Sequence, residues 1–241
     1  MSTQIDVTAL RRAAVLYVVL VVTGIFGSFV PQSLVVSGDA VVTVHKLLAS
    51  ETLFRLTVVG NLVAAVSFVF LARELYRLLR AVDKSLASLM VTLVLASIPI
   101  SFLGALTQVA ALRLIHGGPE LAGLSSGELH SLAMLFIGWG DDVSSLNSVF
   151  FGLWLLPFGG LIIKSGFIPR VVGYLVLIAG VSYLVGSLNF LLAPSFSKAV
   201  SSVVTIGYLG ELAAVVWLVV AALRSPIRTA LQTRPLEVQQ P

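Results

Sequence analysis

The chain contains no cysteine, which excludes disulfides, thiolate metal sites, iron–sulfur clusters and cysteine nucleophiles together. Charge is nearly as scarce. Asp, Glu, Lys and Arg make up 11% of the 241 residues, against about 25% in soluble domains, too little to cover a water-exposed surface. There is no P-loop, no H-E-x-x-H and no evident internal repeat, and the G-x-G of Gly138-Trp-Gly140 lacks the strand that a dinucleotide site requires.

What is present is apolar. Hydrophobic residues reach 58% of the sequence, the mean hydropathy is +1.04, and the apolar residues fall in long charge-free blocks. Hydrocarbon about 30 Å thick needs about 20 helical residues. Six blocks meet that length: Leu10 to Val30, stopped by Pro31; Phe54 to Tyr76; a span within Leu86 to Leu114 with a kink at Pro99; Trp139 to Ile163; Val171 to Leu192; and Ala199 to Leu223. The first block is too long for a signal peptide, and no A-x-A-like site follows it. The fold class expected is all-α, a polytopic six-transmembrane-helix bundle formed by one domain over 1–224. The tail, 225–241, is expected to be disordered.

The net charge of +4 does not indicate a nucleic-acid partner, because the basic residues sit in short loops and build no continuous surface. They report orientation instead. Arg11, Arg12, Arg73, Arg77, Arg80, Lys84, Lys164, Arg170, Arg224, Arg228 and Arg234 fall on one side, and only Lys46, Arg55, Arg113 and Lys198 on the other. Both termini are expected in the cytoplasm. On the outer side, Val41 to Leu53 suits a short interfacial helix. Ser125-Ser-Gly-Glu128 has capping-box spacing, so a helix starts there and feeds the fourth span, either continuing it or lying in the interface with a break at Gly138-Trp-Gly140.

Val22-Thr-Gly-Ile-Phe-Gly27, Phe150-Phe-Gly-Leu153, Lys164-Ser-Gly-Phe-Ile-Pro-Arg170 with Gly173-Tyr174, and Gly207-Tyr-Leu-Gly-Glu-Leu212 with Trp217 occur in this order. With the length and the six-span layout, they resemble the bacterial membrane family known as domain of unknown function 4386, over roughly residues 10 to 224. The resemblance implies a fold and a membrane location, and assigns no activity. Members often carry a His-Asp pair entering the fourth span; here Gly140 precedes Asp141, which weakens a metal site carried over from the family.

A charged group at the bilayer centre costs about 2.5–3.5 kcal/mol on insertion scales. Glu211 lies about 18 Å inside the sixth span at 1.5 Å per residue and must face the bundle or a wet cavity. Ser201, Thr205 and Tyr208 share its side of the helix at helical spacing. Ser182, Gly186 and Asn189 share a face in the fifth span, and Asp141, Ser144, Ser145 and Ser148 in the fourth. Asn61 and Gln108 are polar groups of the second and third. Together they outline an outward polar pocket, with Arg55 and Arg113 at its mouth, and Tyr208 or Asn61 as the expected neighbours of Glu211. The candidate ligand-binding residues are therefore Glu211, Tyr208, Asn61, Gln108, Asp141 and Asn189. The plainer alternative is interhelical hydrogen bonding, or a neutral Glu211 bonded to a neighbour.

His45, His116 and His130 all lie on the outer side but in separate segments, so they read as interfacial groups; no metal site and no cofactor is expected. Gly123-Leu-Ser-Ser126 has no histidine in the fifth or sixth span to act as its base. Trp139, Trp154 and Trp217 read as anchors or packing, and Gly159, Gly160, Gly207 and Gly210 as points of close helix approach. These observations favour a non-enzymatic protein of the bacterial cytoplasmic membrane that binds, senses or transports a small molecule or ion. The alternatives are an intramembrane, metal-assisted enzyme using the outer His and Asp groups, and a structural partner protein. The lipid bilayer is the partner implied, and oligomeric state is left open.

Overall fold

A computed structural model describes residues 6–224, except for the side chains at 194, 197–199, 201–203, 206 and 208. The described residues form seven α-helices: α1 (Val7–Leu34), α2 (Ala40–Ala49), α3 (Glu51–Leu79), α4 (Lys84–His116), α5 (Ser126–Ser165), α6 (Arg170–Leu192) and α7 (Ser197–Arg224). Short 3₁₀ turns at Pro119–Leu121 and Pro194–Phe196 complete them. Helices α1, α3, α4, α5 and α6 are long and apolar enough to cross a membrane, so the chain is a multi-pass membrane protein.

Local chemistry sets the helix starts. Asp6, Asp39 and Asp83 each accept a hydrogen bond from the backbone N–H three residues on, which satisfies a donor with no partner inside the helix. Ser125 and Glu128 form the expected capping box at the head of α5. Gly117 and Gly166 close α4 and α5 at φ of 66° and 72°, a left-handed backbone that glycine adopts without steric cost.

Two expectations about helix ends are corrected. Pro31 does not stop α1, which runs on to Leu34. Proline lacks the N–H that would bond the carbonyl four residues back, here that of Gly27. The Asn61 amide of α3 donates to that carbonyl at 3.4 Å, so the helix passes the proline with the freed group satisfied. Of the two readings open for the fourth span at Gly138-Trp-Gly140, the continuous one holds, because α5 is one helix of 40 residues. Neither glycine there has a positive φ, and the tight approach at Gly140 is Thr107 of α4. The interfacial helix expected over Val41 to Leu53 is present but ends at Ala49, and α3 already begins at Glu51.

The six long helices close into a ring. Helix α3 packs on α1, and α4, α5, α6 and α7 follow in chain order, each on the one before; α7 returns to α1. At one rim, Arg77 pairs with Asp6 (3.0 Å) and Lys164 with Asp83 (2.8 Å), while Arg11 Nε donates to the Ala222 carbonyl (3.4 Å). This basic rim therefore holds the start of α1, the ends of α3, α5 and α7, and the start of α4. At the opposite rim, α2 seats Leu47 into a small core with Phe54, Leu112, Ala133 and Ile137.

The main core is aromatic. Trp154 of α5 stacks on Phe158 at 5.3 Å, meets Phe68 of α3 edge-on at 5.0 Å and lies 6.3 Å from Tyr17 of α1. Helices α5 and α6 approach through two reciprocal glycine pairs. A Cβ on Gly152 would lie 2.7 Å from the Gly180 carbonyl oxygen, and one on Gly159 would lie 2.9 Å from that of Gly173. Gly207 and Gly210 meet Ser182 and the Leu175 carbonyl in the same manner. Gly160 does not share this role: its nearest neighbour is a methyl of Leu86 at 3.9 Å.

Candidate functional site

Three polar arrangements lie within the ring. The deepest is Glu211, midway along α7 and partly accessible. The Tyr17 hydroxyl donates to Glu211 Oε1 at 2.9 Å and the Tyr183 hydroxyl to Oε2 at 3.0 Å. Tyr17, on α1, is fully buried, and Tyr183 comes from α6. Helix packing creates the site: α6 and α1 are the two neighbours of α7 in the ring, and each contributes one phenol. Among the described residues no Lys, Arg or His forms an ion pair with Glu211. Two fixed O–H donors thus take the place of a countercharge. A carboxyl group so held can carry a proton, or accept a small cation against an oxygen-rich face.

The second arrangement centres on Asn61 of α3. Its amide donates to the Gly27 carbonyl of α1 and to Gln108 Oε1 of α4, both at 3.4 Å. A third, on α4 and α5, has Asn147 Nδ2 donating to Ser101 Oγ at 2.9 Å. Asn147 Oδ1 and Ser187 Oγ are buried without a hydrogen-bond partner among the described residues.

The structure therefore separates residues that the sequence grouped. Glu211 faces the bundle as expected, but its partners are Tyr17 and Tyr183. Asn61 bonds instead to Gly27 and Gln108, and the Tyr208 side chain lies outside the described residues, as does that of Ser201. Asp141 is exposed on α5 beside the exposed Asp142, and Asn189 is half-buried near the C-terminal end of α6. Several hydroxyls of the expected stripes turn back to their own helix: Ser148 donates to the Ser144 carbonyl and Ser182 to that of Ile178.

The cleft at the rim opposite the basic one has a volume of about 500 Å³ and is lined by Arg55, Arg113, His116 and Glu120 above Val109 and Leu112. Glu211 does not line it. Behind its wall, Glu51 accepts from Arg55 Nε at 2.6 Å and pairs with His116 Nε2 at 3.1 Å. Among the described residues no three His, Asp or Glu side chains come together in a way that could hold a metal ion.

Sequence reasoning missed both tyrosines. The available signal was depth: tyrosine in a membrane helix favours the interface, yet Tyr17 stands ten residues into α1 and Tyr183 thirteen into α6. It also missed Glu74, 3% exposed, which accepts from Arg73 and Arg77 at 3.2 and 3.3 Å near the end of α3.

A family model described as Domain of unknown function (DUF4386) matches residues 13–222. The chain belongs to this family. The match bears out the resemblance read from the ordered motifs, and it takes in Tyr17, Asn61, Tyr183 and Glu211 alike. No curated protein and no solved structure matches this DUF4386 chain.

Proposed function

We propose that this DUF4386 chain is a six-span protein of the bacterial cytoplasmic membrane, with both ends inside, that binds or senses a small cation or a proton at Glu211. Residues 1–224 make up its one membrane domain. The observation that carries the reading is the pair of tyrosine hydroxyls holding Glu211 from α1 and α6. An ionisable group at mid-membrane with no cationic partner is by default a functional site. Two rigid donors orient both carboxylate oxygens, so that binding a proton or cation there alters hydrogen bonds to two neighbouring helices at once. The six-span topology is supported by the 28 residues of α7, by the return of its end to Arg11, and by the excess of Lys and Arg at the rim where α1 begins. No observation favours the enzymatic reading, since the outer His and Asp groups do not converge.

The test uses the full chain in nanodiscs, with tryptophan emission as the reporter because Trp154 packs against Tyr17. Emission is followed across pH in sodium, potassium and choline buffers. A transition whose midpoint moves with sodium or potassium is expected for a cation site, and a cation-independent transition for a proton site. Glu211→Gln should abolish either one while preserving folding, and Tyr17→Phe and Tyr183→Phe should each shift it. A transition unchanged in Glu211→Gln would overturn the proposal.

A further inference from the structure

The outer cleft is separate from Glu211, and its chemistry differs. Arg55 stands in the second turn of α3 and Arg113 in the last turn of α4, with Glu120 on the 3₁₀ turn that follows. Arg55 is oriented through its Nε by Glu51, which leaves its terminal nitrogens available. Arg113 and Glu120 both line the cleft, yet neither has an ion-pair partner among the described residues, including each other. Opposite charges held apart in one cleft fit a ligand that itself carries both signs. The placement is also unusual: this rim has four Lys and Arg in the whole sequence, and two of them line this one cleft.

The apolar surroundings indicate the rest of the ligand. Leu56 and Val59 on α3, and Leu103, Leu106 and Val109 on α4, are 38–60% exposed, and they lie along the two helices from the cleft away from its rim. The volume lies within the range of small-molecule sites, about 300–1,000 Å³.

We propose that this cleft binds the headgroup of a phospholipid bearing a primary amine, in the leaflet that meets the outer rim. The phosphate lies on Arg55 and Arg113, in the planar, forked geometry that guanidinium groups offer to phosphate oxygens. The ammonium group donates to Glu120, and the acyl chains follow the exposed α3 and α4 side chains. The site is independent of the Glu211 reading, so Glu211→Gln leaves it intact.

The test is lipid retention by the delipidated full chain in detergent, read by native mass spectrometry and by melting temperature. The probes are phosphatidylethanolamine, phosphatidylcholine and phosphatidylglycerol with identical acyl chains. Phosphatidylethanolamine should be retained about tenfold better than the other two, the factor expected for one charge-assisted hydrogen bond. Phosphatidylcholine has no N–H for Glu120, and phosphatidylglycerol has no cation. Arg113→Ala should weaken phosphatidylethanolamine about tenfold. Glu120→Gln should bring it level with phosphatidylcholine. Glu120 is exposed and its substitution is conservative, so that variant decides the matter even if Arg113→Ala fails to fold. Equal retention of all three lipids, a preference for phosphatidylglycerol, or a phosphatidylethanolamine preference that survives Glu120→Gln would overturn the proposal. So would soluble O-phosphoethanolamine stabilising the protein as well as the lipid does, since the ligand would then be a solute.

Discussion

A proline near the end of α1 removes one backbone donor, and an asparagine on the next long helix of the ring supplies another. Asn61 reaches the Gly27 carbonyl that Pro31 leaves open, and Gly27 has no Cβ in the path of that amide. The sequence marked Asn61 as a polar group within the second span but could not show what it bonds, since Gly27 is 34 residues away. The plainer reading, interhelical hydrogen bonding, describes it well. Asn61→Leu should cost about 1–3 kcal/mol, the usual penalty for orphaning a buried acceptor. In a Pro31→Ala background the helix regains its own donor, so the same substitution should cost clearly less. Melting temperatures of the four proteins in detergent complete the cycle, and an unchanged cost would refute the pairing. Glu211 was legible for a different reason: its charge stands out in an apolar helix. Its tyrosines were not, because which helices flank α7 is settled by packing and not by spacing along α7.

Helices were the most legible level, since length and hydropathy set them almost alone. Every expected span corresponds to a helix; the error at Pro31, and the choice left open at Gly138-Trp-Gly140, lie where neighbours decide whether a helix stops. Glycine roles needed the contacts. Gly152 and Gly180 interlock backbone to backbone, whereas a Cβ on Gly160 would meet only a Leu86 methyl at ordinary contact distance. Gly152→Ala should therefore destabilise by about 1–3 kcal/mol through overpacking. Gly160→Ala should be neutral or gain up to about 1 kcal/mol of helix propensity. Thermal unfolding of the two variants side by side distinguishes these outcomes, and equal effects would contradict the packing described. The apolar blocks carried no trace of the α5–α6 register, because one glycine in a membrane helix looks like any other.

At the level of the whole molecule, the ring joins both ends of the described chain at the basic rim. Reporter fusions at Ser37, Gly118 and Ser195 should read as external, and those at Val82 and Gly166 as cytoplasmic; a reversal at any one would break the six-span topology. The same rim predicts a response to acid. The Lys164 ammonium, and then the Leu86 N–H, hold the Asp83 carboxyl below its usual range. Its stabilising effect is therefore complete above the ordinary carboxylate pKa and is lost as pH falls through the lowered one. Asp83→Asn keeps a helix cap but loses the charge, so it should flatten the acid limb of a melting-temperature profile and leave the alkaline limb unchanged; an unaltered acid limb would remove the pair from the account. The long α5 has a mechanical consequence as well. From Ser126 to Leu156 it contains no proline, a rod about 45 Å long at 1.5 Å per residue. The Ser126 tip and the indole of Trp154 are thus two points on one stiff lever. Tilting that end must also turn the core around Tyr17, so a force applied at one rim is felt at the centre of the bundle.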